Sequence, residues 1–357
     1  VTFSSYDALK DALDKASGTT GPDVFVAGND WVPALAKSGK LAQVVLTAEQ
    51  RSRIIPSKFF DLSYQGKLYG VPVDVNNVGF VFNTKLVKTA PKSFGDMVNF
   101  YLANKKKLGL KAGFCIAGGG LSWGGLSTFS ALGAEPYIMN KDGSVNYSKS
   151  FDPVVFGNNV KKYLLDKNGK SNGFYPATDT GCQDNYIAGK VPYAIIGNWH
   201  WRTFAEAGLP MNIQPLPGVK PGTYGKMFGS VSGAFLTSYA EAHGVAVEAK
   251  TLLTNFFAST AGQVAYAAVE GRPPAEKGAQ KSQLVLPGQK AMGVAAGLSS
   301  IPQIGAFLNT NAGGASYWDS SGAYWTAVLV DGKDPVAEAK KLAAIWKANV
   351  AAGKADL

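Results

Sequence analysis

The sequence predicts an α/β fold, and three observations carry the prediction. Helix-like and strand-like segments alternate from the start, over residues 6–13, 23–27 and 29–36. Short unbroken apolar runs at 78–82 and 192–196 read as strands. The 357 residues are 46% hydrophobic and 17% charged, enough for a sizeable core and, at about 150 residues each, for two domains.

Taken in order, residues 6–13 place Tyr6, Leu9 and Leu13 on one helical face, with Ser4 and Asp7 spaced as a capping box. Gly18 closes that helix and 23–27 is a buried strand. Asn29 and Asp30 cap a short helix through Ala36, which Ser38-Gly39 stops. Residues 66–72 read as a hairpin and 78–82 as a strand. Ser93 and Asp96 cap a helix to about Lys107, followed by a strand at 112–116 and a helix at 123–132. Asp152-Pro153 opens a helix to Leu165, with Pro at its first position. A helix near 184–188 leads through Gly189-Lys190 into the strand at 192–196. Beyond Gly229 come a strand at 233–236, long helices at 240–258 and 261–269, and an aperiodic Pro/Gly-rich stretch at 271–288. Asp334-Pro335 caps a final helix ending near Val350. No internal repeat is visible.

Several functional classes are excluded or demoted. No apolar run approaches the roughly 18 residues of a membrane span, and Val1 opens no signal-peptide pattern, so a targeting segment has been removed or lies outside this sequence. The formal charge of +10 invites a nucleic-acid reading, but its only dense run, Lys105-Lys106-Lys107, sits in a helix-like segment without interleaved aromatics. A solvated face explains it better, and no nucleic-acid partner is expected. His200 and His243 lack metal-ligand spacing, and neither a phosphate-binding loop nor a nucleophile elbow is present. No metal or cofactor is expected. Cys115 and Cys182 either pair in an oxidising compartment or stay buried as thiols.

The order of motifs resembles one family. Gly21-Pro-Asp-Val-Phe-Val-Ala-Gly-Asn-Asp30 with Leu35-Ala-Lys-Ser-Gly-Lys-Leu41 is similar to the opening of extracellular solute-binding proteins. Gly66-Lys-Leu-Tyr-Gly-Val-Pro72 with Phe82-Asn-Thr-Lys85, then Ile187-Ala-Gly-Lys-Val-Pro-Tyr-Ala-Ile195 with Gly197-Asn-Trp199, and finally Ile301-Pro-Gln-Ile304, resemble its later segments in the same order. Within that family the chain resembles the maltose- and oligosaccharide-binding members of ATP-binding-cassette (ABC) importers. The resemblance implies a two-lobed periplasmic-binding-protein-like α/β fold, with discontinuous lobes and a ligand cleft between them. It places residues 1–75 and 232–288 in the first lobe and 79–229 and 289–357 in the second, with crossings near 75–78 and 229–232. It also places a further strand and helix before Val1, so the native chain is expected to be longer. The implied protein is a non-catalytic, extracytoplasmic monomer that delivers a di- or oligosaccharide to the transmembrane subunits of an ABC permease, lipid-anchored if such a preceding segment carries the anchor.

Sugar sites combine aromatic faces, which cover the apolar faces of pyranose rings, with polar groups around the ring edge. Trp199 matches the family's stacking tryptophan, with Trp201 and Arg202 just beyond; interlobe packing is the competing reading for the tryptophans. Asp30 and Trp31 stand at a strand-to-helix turn, where Asp30 is either a helix cap or a hydroxyl partner. Asp74, Asn76 and Asn77 lie at the first crossing, where buried polar groups need either a ligand or hinge hydrogen bonds. Trp123 precedes a helix where relatives carry an aromatic contact. Tyr317, Trp318 and Asp319 fall in a Gly/Ser-rich stretch, 313–322, that reads as a cleft-rim loop. Two other functions compete. An organic anion, phosphate ester or metal would need charges that only Arg202 and Arg272, or a few acids, offer. A glycosidase would need two carboxylates about 5–10 Å apart, for which Asp30, Asp74 and Asp319 are available.

Overall fold

The computed structural model describes the chain apart from residues 1–5, 19, 56–57, 59–61, 118–119, 141–143, 177–180, 210–211, 285–287, 289–290, 292–294, 296–298 and 357. Ser4, and with it the expected first capping box, lies outside the described residues. Six strands form two principal sheets: β1 Val24–Gly28, β2 Gly70–Pro72, β3 Val78–Phe82, β4 Phe114–Ile116, β5 Tyr193–Gly197 and β6 Ser232–Leu236. The first sheet has the order β1-β6-β2, antiparallel throughout. The second has the order β3-β5-β4, with β3 antiparallel and β4 parallel to β5.

Each sheet sits in its own core. Phe25, Trp31, Leu35, Val71, Val73 and Phe235 pack in the first body. In the second, alternate residues of the strands face opposite ways: Val78, Phe80, Phe82, Phe114 and Ile195 enter a large aromatic core, while Val81, Cys115, Ala194 and Ile196 enter a smaller one. Covering both faces explains why β3 and β5 read as continuous apolar runs rather than alternating ones. The large core is closed by helices Tyr317–Leu329 and Pro335–Gly353, whose Trp325 and Trp346 pack around Phe129, the first tilted and the second edge-to-face. Helix Pro335–Gly353 lies directly on Pro153–Leu164 because Gly157 has no side chain; a Cβ there would stand 2.6 Å from the Val336 backbone.

Local chemistry accounts for most elements. Ser93 and Asp96 form the expected reciprocal cap on Phe94–Leu108, and Asp152 accepts from the amides of Val154 and Val155. The hairpin expected over 66–72 lies at 63–68 instead, pairing Ser63–Tyr64 with Lys67–Leu68 around Gln65-Gly66, both at positive φ (48° and 73°), as a tight two-residue turn of the right twist requires, while Gly70–Pro72 pairs with β6. Three further expectations are corrected. The helix over 240–258 is divided into Tyr239–Ala242, Ala246–Thr251 and a π-helical turn Leu252–Phe257, because Gly244 takes a left-handed conformation at φ 71°. The helix over 123–132 is broken into Gly120–Trp123 and Leu126–Leu132. The stretch 313–322 is not a rim loop: Ser316 caps helix Tyr317–Leu329, whose buried Tyr324, Trp325 and Val328 hold it to the core.

The chain leaves the first sheet at Pro72 and enters the second at Val78, then returns through Gly229 to Ser232. These connections are zipped together. Asn76 and Ser230 exchange backbone hydrogen bonds of 2.9 and 2.8 Å, and the Val75 amide donates to Pro273 O at 2.8 Å, bringing Arg272 alongside. A parallel pairing of Met227–Gly229 with Ser300–Pro302 completes the junction.

Candidate functional site

The register of the two sheets decides what meets at the junction. Gly28 at the end of β1 pairs with Ser232 at the start of β6, and Val78 at the start of β3 pairs with Gly197 at the end of β5. Residues just beyond those strand ends are therefore presented to the gap between the bodies. A cavity of about 480 Å³ lies there, lined by Gly28, Asp30 and Asn76 on one side, Trp123, Trp199, Gln303 and Trp318 on the other, and Ser230, Ser232 and Arg272 at the junction.

Three tryptophans from three separate segments face this cavity. Trp199 follows Gly197, and a Cβ on Gly197 would strike the Trp199 ring at 2.5 Å, so only glycine permits this indole position. Its ring centroid is 5.6 Å from that of Trp123, tilted by 38°, and the residue is still 38% exposed. Trp123 Nε1 donates to Gln303 Oε1 at 2.7 Å, which sets the plane of that indole. Gln303 is itself held from both bodies. Its carbonyl accepts from Asn29 Nδ2 at 3.3 Å, and the Tyr137 hydroxyl donates to Pro302 O and accepts from Ile304 N. Trp318, on the first turn of its helix, donates to Asn309 Oδ1 at 2.7 Å.

The polar side centres on Ser232. Its Oγ accepts from Asn76 Nδ2 at 2.7 Å and from Arg272 at 3.1 Å, while its backbone amide donates to Asp74 Oδ1 at 2.8 Å. Arg272 also reaches Asp74 Oδ2 at 3.4 Å, and its guanidinium lies 6.0 Å from the Trp199 ring centroid. Burial opposes the Arg272 charge, but Asp74, Tyr266 and Glu270 hold it above the ordinary arginine value. Asn76 Oδ1 is buried and has no hydrogen-bond partner among the described residues. His200, with its ring 5.5 Å from that of Trp199, is pushed below its ordinary value by burial.

The expected residues therefore divide. Asp30, Asn76, Trp123, Trp199 and Trp318 share one cavity. Asp30 is not the helix cap: Gly28 occupies that position before the turn Asn29–Trp31, and Asp30 also borders a second cavity of about 260 Å³ with Lys37, Tyr64 and Asn309. Five others are corrected. Trp31 is buried in the first core, and the fully buried Asn77 donates to Val78 O at 3.0 Å and approaches Met227. Asp74 is fully buried behind the wall, bound to Arg272 and Ser232. Tyr317 is buried in the second core with its hydroxyl donating to Ser122 O, and the exposed Asp319 accepts from Ser316 Oγ at the helix start. Trp201 and Arg202 begin helix Trp201–Glu206, but their side chains lie outside the described residues. Sequence reasoning missed Gly28, Ser230, Ser232 and Gln303, and weighed Arg272 only as support for an anionic ligand. Gln303 stood inside the quoted Ile301-Pro-Gln-Ile304 motif; the two serines gave no signal.

The profile of the family described as bacterial extracellular solute-binding protein matches residues 1–291. The chain is 23% identical over 236 residues to the maltotriose-binding protein of Pyrococcus abyssi (strain GE5 / Orsay), covering 61% of this chain and 47% of that protein. It is 28% identical over 249 residues to the maltooligosaccharide ABC transporter solute-binding lipoprotein of Streptococcus pneumoniae serotype 4, covering 64% and 55%. The chain thus spans about half the length of the curated relatives it matches. Among solved structures, a cyclo/maltodextrin-binding protein complexed with maltotetraose shares the fold with a TM-score of 0.72 and 21% identity, over 95% of this chain and 86% of that one.

Proposed function

The chain belongs to the bacterial extracellular solute-binding protein family, and from that premise we propose that it is the non-catalytic, extracytoplasmic binding component of an ABC import system for a maltose-type di- or oligosaccharide. The observation that carries the reading is the grouping of Trp123, Trp199 and Trp318 around one cavity whose remaining wall is Asp30, Asn76, Ser230, Ser232, Arg272 and Gln303. Aromatic faces with polar groups at the edge match a pyranose, which is apolar on its faces and hydroxylated around its rim. The second cavity beyond Asp30 supports more than one sugar ring.

The lobes are assigned as residues 1–75 with 232–288, and 79–229 with 289–357. The partition of core residues supports this: the first core draws on residues from Leu13 to Val73 and from Val231 to Ala275, the second on Val78 to Phe228 and Ile301 to Val350. Closure of two such lobes on a ligand would form the surface read by a permease. The partner assignment is the family's: permease subunits, with the chain acting as a monomer. A glycosidase is disfavoured because Asp30 is the one carboxylate among the lining residues, Asp74 being enclosed and Asp319 accepting from Ser316 Oγ at the start of its helix. An anionic ligand has Arg272 in its favour, but that guanidinium is already engaged by Asp74.

Calorimetric titration with glucose, maltose and maltotriose tests the reading, and the disaccharide or trisaccharide is expected to bind tighter than glucose. Trp199→Ala is expected to weaken the best sugar roughly five- to a hundredfold, from loss of about 1–3 kcal/mol of stacking, and Trp199→Phe less. Unchanged affinity in a folded Trp199→Ala protein would make Trp199 a packing residue. Gln303→Ala leaves the Trp123 N–H without its acceptor. The bond lies within the protein, so its loss is expected to cost about 1 kcal/mol of folding stability, read as a lower melting temperature, and to weaken sugar binding because the Trp123 plane is no longer fixed. A Gln303→Ala protein that binds like the parent would remove Gln303 from the site.

A further inference from the structure

The positive charge is concentrated in one body. Residues 79–229 hold 17 Lys+Arg against 8 Asp+Glu, whereas residues 1–78 hold 8 of each. Folding gathers much of that excess at one end of the second body. Lys105, Lys106 and Lys107 form the last turn of helix Phe94–Leu108, where the macrodipole favours cations. The Lys111 amide donates to Lys190 O at 2.9 Å, and Lys190 Nζ stands 4.0 Å from a Cβ built on Gly109. Lys105 Nζ donates to Asn172 O, which brings in the turn carrying Lys167 and Lys170, and Asn172 Nδ2 bonds Tyr163 O beside Lys161 and Lys162. All of these lysines except the half-buried Lys105 are exposed. The segments 97–134 and 153–178 contain one carboxylate, Asp166, and its Oδ1 is turned back onto the amides of Asn168 and Lys170.

We propose that this lysine-rich end is a docking surface for an anionic phospholipid membrane. The chemistry selects that partner over others. Protein interfaces are built on aromatic and arginine anchors and are depleted in lysine. Nucleic-acid surfaces offer arginine forks or open stacking rings, whereas here the cations are lysines alone and the two rings among them, the buried Tyr101 and the half-buried Tyr163, lie under Lys105 and Lys162, leaving flexible point charges that suit a diffuse, mobile array of phosphates. An extracellular binding protein works beside such a surface. Held by this end, the second body would stay near the membrane through long-range attraction rather than a fitted contact.

Co-sedimentation with vesicles tests the proposal. The protein is expected to sediment with vesicles of equal parts phosphatidylglycerol and phosphatidylcholine, to stay in solution with phosphatidylcholine alone, and to be released by high salt. Lys106→Glu/Lys107→Glu/Lys111→Glu should weaken partitioning roughly tenfold or more. Lys15→Glu/Lys250→Glu/Lys281→Glu, an equal charge change in the first body, should leave most of it. Equal losses in the two variants would reduce the effect to net charge and overturn the assignment. Equal partitioning into both vesicle types, or into neither, would also overturn it. Sugar titration of each variant confirms folding and is independent of the outcome, so failure here leaves the binding reading standing.

Discussion

Removing the Cys115–Cys182 bridge is expected to lower stability by about 4 kcal/mol, the chain-entropy value for a loop of this length. The bridge ties β4 to helix Cys182–Ile187 across 67 residues, with Cα atoms 5.4 Å apart. Both sulfurs sit in the smaller core with Val81, Tyr186, Ala194, Ile196 and Phe204, so alanine is the appropriate replacement, since serine would bury an extra hydroxyl. Denaturant unfolding of the Cys115→Ala/Cys182→Ala protein against the parent, each with and without reductant, measures the effect. The parent should lose stability on reduction and the variant should not respond. Two cysteines that label freely in the denatured, unreduced parent would remove the bridge from the account. The site should feel the loss, because β5 lies over this core and runs into Gly197 and Trp199.

How much was legible in the sequence depended on the range of the forces. Strands β3 and β5 were readable because burial on both faces leaves an uninterrupted apolar run, and helix Phe94–Leu108 because its cap is a local exchange of hydrogen bonds. Helix Tyr317–Leu329 was hidden by the small residues around it, although Ser316 and Asp319 carried the capping spacing. Among the site residues, adjacency misled. Asn76 and Asn77 are neighbours in extended chain, so their side chains point to opposite sides and only Asn76 reaches the cavity. Asp30 and Trp31 share one turn yet face the cavity and the first core respectively. Trp199 was placed by the strand end just before it, whereas Trp123 closes the short helix Gly120–Trp123 and Trp318 lies in a helix the sequence read as a loop. Arg272 was not, since its partner Asp74 lies 198 residues away and nothing local marks the pair.

Arg272→Ala is expected to have the largest effect on stability and binding together. Asp74 is fully buried, and Arg272 is its ion-pair partner at 3.4 Å. Deleting one member of a buried pair leaves the other charge without its compensation, which costs about 3 kcal/mol or more, whereas deleting both costs less. Chemical denaturation of Arg272→Ala, Asp74→Asn and the double variant completes a thermodynamic cycle. The double variant should be more stable than Arg272→Ala alone, because the amide replaces an unpaired carboxylate while Ser232 N retains an acceptor. Binding should fall as well. Arg272 touches Ser232 Oγ, whose other donor is Asn76, and its guanidinium lies over Trp199, so one side chain fixes both the polar wall and a stacking face. Arg272→Lys should recover the charge, and a single ammonium can replace Nη1, which alone makes the contacts to Asp74 and Ser232, but it lacks the planar guanidinium face set against Trp199. Affinity in that variant should therefore stay below the parent's even where stability returns. An Arg272→Ala protein as stable as the parent would mean that Asp74 is held by Ser232 and the surrounding backbone alone, with Arg272 a wall residue free to vary.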